Sequence, residues 1–96
     1  MLTIEKAREW LRLDNSDNDA VISGLIDSAV EYITLTTGLS EADQENSTLA
    51  ETAQKFLLTL WYDPQTAETD RLQRTIDNLL KAITTTQLGN TTKNGG

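Results

Sequence analysis

Asp14, Ser16 and Asn18 alternate in the way that the first oxygen ligands of a calcium-binding loop do. Such a loop also needs glycine at its sixth position and a bidentate glutamate at its twelfth. Counted from Asp14, those two positions hold Asp19 and Leu25. Because the sharp turn and the strongest ligand are both missing, the pattern favours side chains that cap the start of a helix.

Asp27 and Ser28 are the other pair with possible chemistry. They resemble the start of the Asp-Ser-Leu motif on which small, acidic, four-helix carrier proteins bear phosphopantetheine. Here Ala29 follows Ser28, and the apolar spacing around it places Ser28 inside a long helix rather than at a helix start. The pair is therefore interpreted as part of a polar helix side, and a carrier protein remains a lesser alternative.

The sequence contains neither histidine nor cysteine. Histidine is the commonest general base and transition-metal ligand, and cysteine supplies thiolate chemistry and disulfides. No glycine-rich phosphate loop is present, and no apolar stretch approaches the ~18 residues of a membrane span. We therefore expect no catalytic residue, metal site, cofactor or membrane contact, and predict that the chain is not an enzyme and is made in the cytoplasm.

Charge is unevenly placed along the chain, whose net charge is −7. Residues 13 to 54 hold nine acids and no lysine or arginine, whereas the remaining segments hold six acids and eight bases. Phosphate contacts need clustered cations, so the acidic middle argues against tight nucleic-acid binding. The alternative interpretation is a solvated acidic surface.

The spacing of apolar residues predicts an all-α single domain of about four helices. Thr3 caps a short first helix. The second helix is long and central, spans about residues 18 to 37 and ends at Gly38, with a broad inward stripe that starts at Val21. Ser16 and Asp19 have the spacing of a capping box at its start, with Asp in place of the usual Glu, and Asp17 and Asn18 are equally good capping candidates.

Residues 39 to 48 lack periodicity and are interpreted as a polar connection with at most one helical turn. The apolar spacing of residues 49 to 62 predicts the third helix, with Leu49 on its inward side. Pro64 is expected to end this helix. Residues 72 to 83 mark the fourth. The predicted helical domain is therefore 1–83, followed by a flexible polar tail, 84–96.

The candidate interaction residues are aromatic or charged. Trp61 and Tyr62 are neighbours at a helix end and point about 100° apart, so either one faces a partner or both cover the edge of the core. Arg71, Arg74 and Lys81 on the fourth helix are candidates to meet acids of the middle segment, such as Asp27 and Glu31, in a neighbouring copy.

The order of these segments resembles the tailed-phage head-to-tail connector, or adaptor, family. Leu2-Thr3-Ile4-Glu5-Lys6-Ala7 and Leu11-Arg12-Leu13-Asp14 match its opening, and a long helix follows and ends at Thr37-Gly38. The third helix ends in Trp61-Tyr62, a looser match, and Leu79-Leu80 is followed by Lys81-Ala82-Ile83 instead of the family's Pro-Tyr-Arg type of ending.

This resemblance implies a virion protein that forms a ring, typically of about twelve copies, under the portal of the filled head. It also implies that the ring extends the DNA channel without sequence-specific binding and receives the stopper or tail-completion protein. A host-directed helical interaction module is the main alternative from another class.

Overall fold

The computed structural model describes the backbone of residues 1–62 and 69–95 and the side chains of residues 1–62 and 69–87. These residues contain no strand and five helices: α1 Ile4–Leu11, α2 Asp19–Thr37, α3 Glu41–Gln44, α4 Thr48–Tyr62 and α5 Thr69–Gly95. The all-helical prediction is confirmed, including the long second helix. The additional element, α3, is a single turn within the predicted polar connection.

Two predicted helix ends have the expected backbone chemistry. The Thr3 side chain accepts a hydrogen bond from the backbone N–H of Lys6 and caps α1. Gly38 has φ 84° and ends α2 in the left-handed region, where its N–H donates to the carbonyl of Thr34. These local signals fix both ends without help from distant residues.

The predicted side-chain cap at the start of α2 is wrong. Asn18 occupies the capping position, but its side chain makes no cap hydrogen bond because its ψ of 15° lies outside the extended region that capping needs. Its amide instead donates to the Tyr62 hydroxyl at 2.8 Å. The Asn18 side chain therefore ties the start of α2 to the end of α4.

Three helices, α2, α4 and α5, pack against one another, and α1 lies across α2 and α4. The buried core positions recur at helical spacing and include Ile22, Ile26, Ile33, Leu57, Leu58, Ile76 and Ile83. Val21 and Leu49 were predicted to face inward, but 56% of Val21 and 41% of Leu49 are exposed. The inward stripe of α2 is thus narrower than predicted.

Two fully buried glutamines join separate parts of the chain. Gln54 accepts from the backbone N–H of Leu2 and donates to the side-chain oxygen of Gln44 at 3.0 Å. The Gln44 amide nitrogen lies within hydrogen-bonding distance of the Val30 carbonyl and the Thr34 hydroxyl. The N-terminus, α2, α3 and α4 therefore meet in one polar network inside the core.

The predicted domain boundary between residues 83 and 84 does not coincide with a helix end, because α5 continues through it. Thr84 and Thr86 donate their hydroxyls to the carbonyls of Leu80 and Ala82, four residues earlier. Side chains beyond residue 87 lie outside the described residues, so the flexibility of 84–96 stays a prediction. Pro64 also lies outside them, and α4 ends at Tyr62.

We expect Gln54→Ala to lower the free energy of unfolding by about 3 kcal/mol, because it leaves the Leu2 N–H and the Gln44 oxygen without partners and opens a cavity. Urea unfolding followed by circular dichroism measures the loss. Gln73→Ala is the matched control: among the described residues its side chain bonds only Asp77, at the surface, and a change within about 0.5 kcal/mol is expected. Equal losses in both variants would contradict a structural role for the buried network.

Candidate interaction surfaces

Glu51 on α4 is the centre of a cluster of charges between α1 and α4. Its carboxylate oxygens lie 3.3 Å from the Lys6 ammonium, 3.4 Å from the N-terminal ammonium of Met1 and 3.9 Å from the Lys55 ammonium. Partial burial raises the pKa of Glu51, but hydrogen bonds and charge from Lys6 and Met1 outweigh it and hold the pKa below its ordinary value. The cluster joins the N-terminal segment to α4.

Trp10 extends the same surface. Its ring lies edge-on to Phe56 at 5.6 Å, its Nε1–H donates to the Thr59 hydroxyl at 2.7 Å, and the Lys55 ammonium lies 5.5 Å from the ring centroid. Trp10 is still 39% exposed as a residue and, together with Lys6, borders a shallow cavity. Trp10 was not among the predicted interaction residues, although tryptophan is enriched at protein interfaces.

A second ion pair joins α1 to α2. Arg8 Nε and Asp19 Oδ1 are 3.1 Å apart. Both atoms are shielded from solvent, and their angle does not satisfy a hydrogen bond, so they attract each other as charges. The Asp19 carboxylate of the acidic middle segment is therefore neutralised within the chain.

Trp61 and Tyr62 both contact their own chain. The Trp61 ring lies edge-on to Tyr32 of α2, with 5.8 Å between centroids and an angle of 87°. Tyr62 accepts the hydrogen bond from Asn18, and both aromatic side chains are half-buried against the core. Their contacts thus join the end of α4 to α2 and to Asn18 at its start, and a role in contacting a partner stays a prediction.

Asp27 and Glu31 are both exposed on α2. Together with Glu41 they border an open groove of about 460 Å³, whose other lining residues are uncharged. Neither Asp27 nor Glu31 forms an ion pair within the described residues, and these residues contain no acidic cluster arranged to hold a metal ion. The groove is a negatively charged surface whose chemistry favours a cationic partner.

Arg71, Arg74 and Lys81 are all exposed on α5. At 3.6 residues per turn, they share the side of α5 that faces away from the core. For Arg74 and Lys81, no carboxylate of the described residues lies within ion-pair distance. Within the described residues of one chain, Arg74 and Lys81 therefore form no ion pair with Asp27 or Glu31 of α2.

The packing also gives the subunit distinct sides. Since α2 and α5 both pack on α4 and on each other, their outward faces diverge, and within the described residues the backbones of α1 and α5 do not come close to each other. Ser28 is exposed in the middle of α2, where the sequence placed it. Within the described residues, no helical segment combines the length and the hydrophobicity of a membrane span.

Comparison with known families gives one finding. The model of a family described as phage gp6-like head-tail connector protein matches residues 1–87. No curated protein and no solved structure matches the chain. The matched range includes α1 to α4 and all of α5 whose side chains are described.

We expect Glu51→Gln to remove a pH-dependent part of the stability, of up to about 1 kcal/mol for a partly exposed cluster. A lowered pKa in the folded state means that the wild-type carboxylate stabilises the fold above the ordinary value of 4.5. That stabilisation is lost as pH falls through the lowered value, so the gap between wild type and variant should close in acid. Urea unfolding from pH 7 to pH 3 measures it. Glu45→Gln is the control, because Glu45 has no ion pair in the described chain. If the difference in stability between wild type and Glu51→Gln were the same at all pH values, the role assigned to the Glu51 carboxylate would be wrong.

Proposed function

The chain belongs to the phage gp6-like head-tail connector family, and from this membership we propose that it is a ring-forming adaptor subunit beneath the portal. The family is structural, and membership implies a virion component that oligomerises and contacts portal and tail proteins. In our proposal, about twelve copies form the ring, which extends the DNA channel and links the filled head to the stopper or tail-completion protein. The subunit is made in the bacterial host cytoplasm before it enters the virion.

The family match over residues 1–87 is the observation that carries this proposal. A ring requires a heterologous interface, in which one surface of a copy meets a different surface of the next. Exposed acids on α2 and exposed bases on α5 supply two such surfaces on diverging sides. Trp61 and Tyr62 lie beside α2, where they can add apolar area to the same contact.

The charge of the chain fits a channel through which DNA slides. A net charge of −7 repels phosphate, so DNA can pass without sequence-specific contacts. In this proposal, the exposed cations pair with acids of neighbouring copies. They are therefore not available to bind DNA. The ring then presents a surface that does not retain the genome.

Light scattering across a concentration series, with and without the cognate portal, tests the proposed function. We expect a mass of many copies, or assembly only on the portal, because a template can supply what a small interface lacks. Raising the salt concentration, or reversing charge with Arg71→Glu and Arg74→Glu, should weaken assembly. A chain that stays monomeric and ignores the portal at every concentration would contradict the proposal and favour a host-directed interaction module.

A further inference from the structure

α2 carries apolar side chains on the side that faces away from the core. Ile22, Ile26 and Ile33 are buried on its inner side, whereas Val21 and Leu35 are 56% and 77% exposed on the other. Tyr32, whose ring contacts Trp61, is 36% exposed at the edge of that outer side. A helix that packs on one side only is normally polar on the opposite side. The outer side of α2 therefore has the composition of a surface that is covered in an assembly.

The shape and charge of this surface restrict what can cover it. Gly24 and Ser28 lie one turn apart between Val21 and Leu35, and a Cβ built on Gly24 would meet nothing within 4 Å. Small side chains allow a neighbouring helix to approach closely. Asp27 and Glu31 form one edge, without an ion pair in the described chain. We define the outer α2 face by Val21, Asp27, Ser28, Glu31, Tyr32 and Leu35.

A helix that fits this face needs cations beside small residues and enough length to cover it. α5 meets these needs on its exposed side, where Arg74 and Lys81 stand beside Asn78 and Ala82. Arg74 and Lys81 are seven residues apart, about 10 Å along the axis of α5. Asp27 and Glu31 are about 6 Å apart along the axis of α2, and long cationic side chains can span the difference between the two spacings. The aliphatic stems of arginine and lysine also cover apolar surface while their charged ends reach a carboxylate.

We propose that the outer α2 face of one copy packs against the exposed side of α5 of the next copy, with Arg74 paired to Glu31 and Lys81 paired to Asp27. This inference rests on the proposed ring and specifies the contact between its copies. The stems of Arg74 and Lys81 cover Val21 and Leu35, and Gly24 and Ser28 let the two helices approach. Each copy then uses one face toward each neighbour, and the contact repeats around the ring.

Charge exchange between two variants tests this contact. Glu31→Arg alone sets a second guanidinium against Arg74 of the next copy, and Arg74→Glu alone sets two glutamates against each other. We expect either variant to reach half-assembly only at a protein concentration at least about tenfold higher than wild type needs. If wild type assembles only on the portal, the comparison is made on the portal. An equimolar mixture should recover assembly, because a ring of alternating copies has an opposite-charge pair at every contact, with reversed sign at one and the wild-type sign at the next. Light scattering of each variant and of the mixture measures this.

A double variant completes the exchange. Glu31→Arg combined with Arg74→Glu in one chain restores an opposite-charge pair, with its sign reversed, at every contact of the ring. We expect this double variant to assemble within about threefold of the wild-type concentration. If each substitution weakened assembly independently, the two effects would add in the double variant. A double variant weaker than both single variants would contradict the pairing.

Controls separate the contact from effects on folding. Glu5→Arg and Arg12→Glu make the same charge changes on the exposed part of the α1 region and should leave assembly within about twofold of wild type. Leu35→Ala should weaken assembly while the thermal unfolding midpoint of the subunit stays unchanged, since Leu35 is largely exposed in one copy. The same substitution at Leu49 should leave assembly intact.

The outcomes distinguish the two proposals. If wild type assembles and neither single variant weakens assembly, or if the double variant does not recover it, this contact is wrong while the connector function stands. If Leu35→Ala impairs binding to the portal but not the association of copies, the outer α2 face binds the portal instead and the contact is again wrong. If wild type fails to assemble with and without the portal, the connector function fails first.

Discussion

The hydrogen bonds of Gln44 and Gln54 are the constraint on which the arrangement of the helices depends. Both side chains are fully buried, and a buried amide is costly unless its donors and acceptors find partners. Those partners come from Leu2, from Val30 and Thr34 of α2, and from each other. An apolar core alone would tolerate small shifts between helices, whereas this network fixes the N-terminus, α2, α3 and α4 in one register.

The sequence predicted the helices well because their information is local. Repeated apolar spacing, the Thr3 cap and Gly38 each act within a turn or two of chain. Gln44 could not be predicted as buried, since its partners are 10 and 14 residues away and the segment around it is polar. The Asn18 side chain likewise bonds Tyr62, 44 residues away, instead of its own helix.

The candidate surfaces were predictable in part for the same reason. Exposed positions for Asp27, Glu31 and the bases of α5 follow from charge, because an unpaired charge is costly to bury. The outward position of Val21 was not predicted, because an apolar residue next to an inward stripe is indistinguishable from its edge until the packing is known. For Trp61 and Tyr62 the sequence left two roles open, one at the edge of the core and one against a partner. Their contacts within the chain agree with the first role.

Folding converts the uneven charge of the chain into uneven surfaces. The acidic middle segment forms α2, α3 and the first half of α4, whereas the bases of the described side chains lie in the α1 region, at Lys55 and on α5. Internal pairs neutralise Asp19 and Glu51, which leaves Asp27 and Glu31 for other partners. The exposed apolar residues of α2 are few, so one contact between two copies would be weak. A ring makes many such contacts at once on a template, and assembly can therefore depend on the portal while the free subunit stays a monomer.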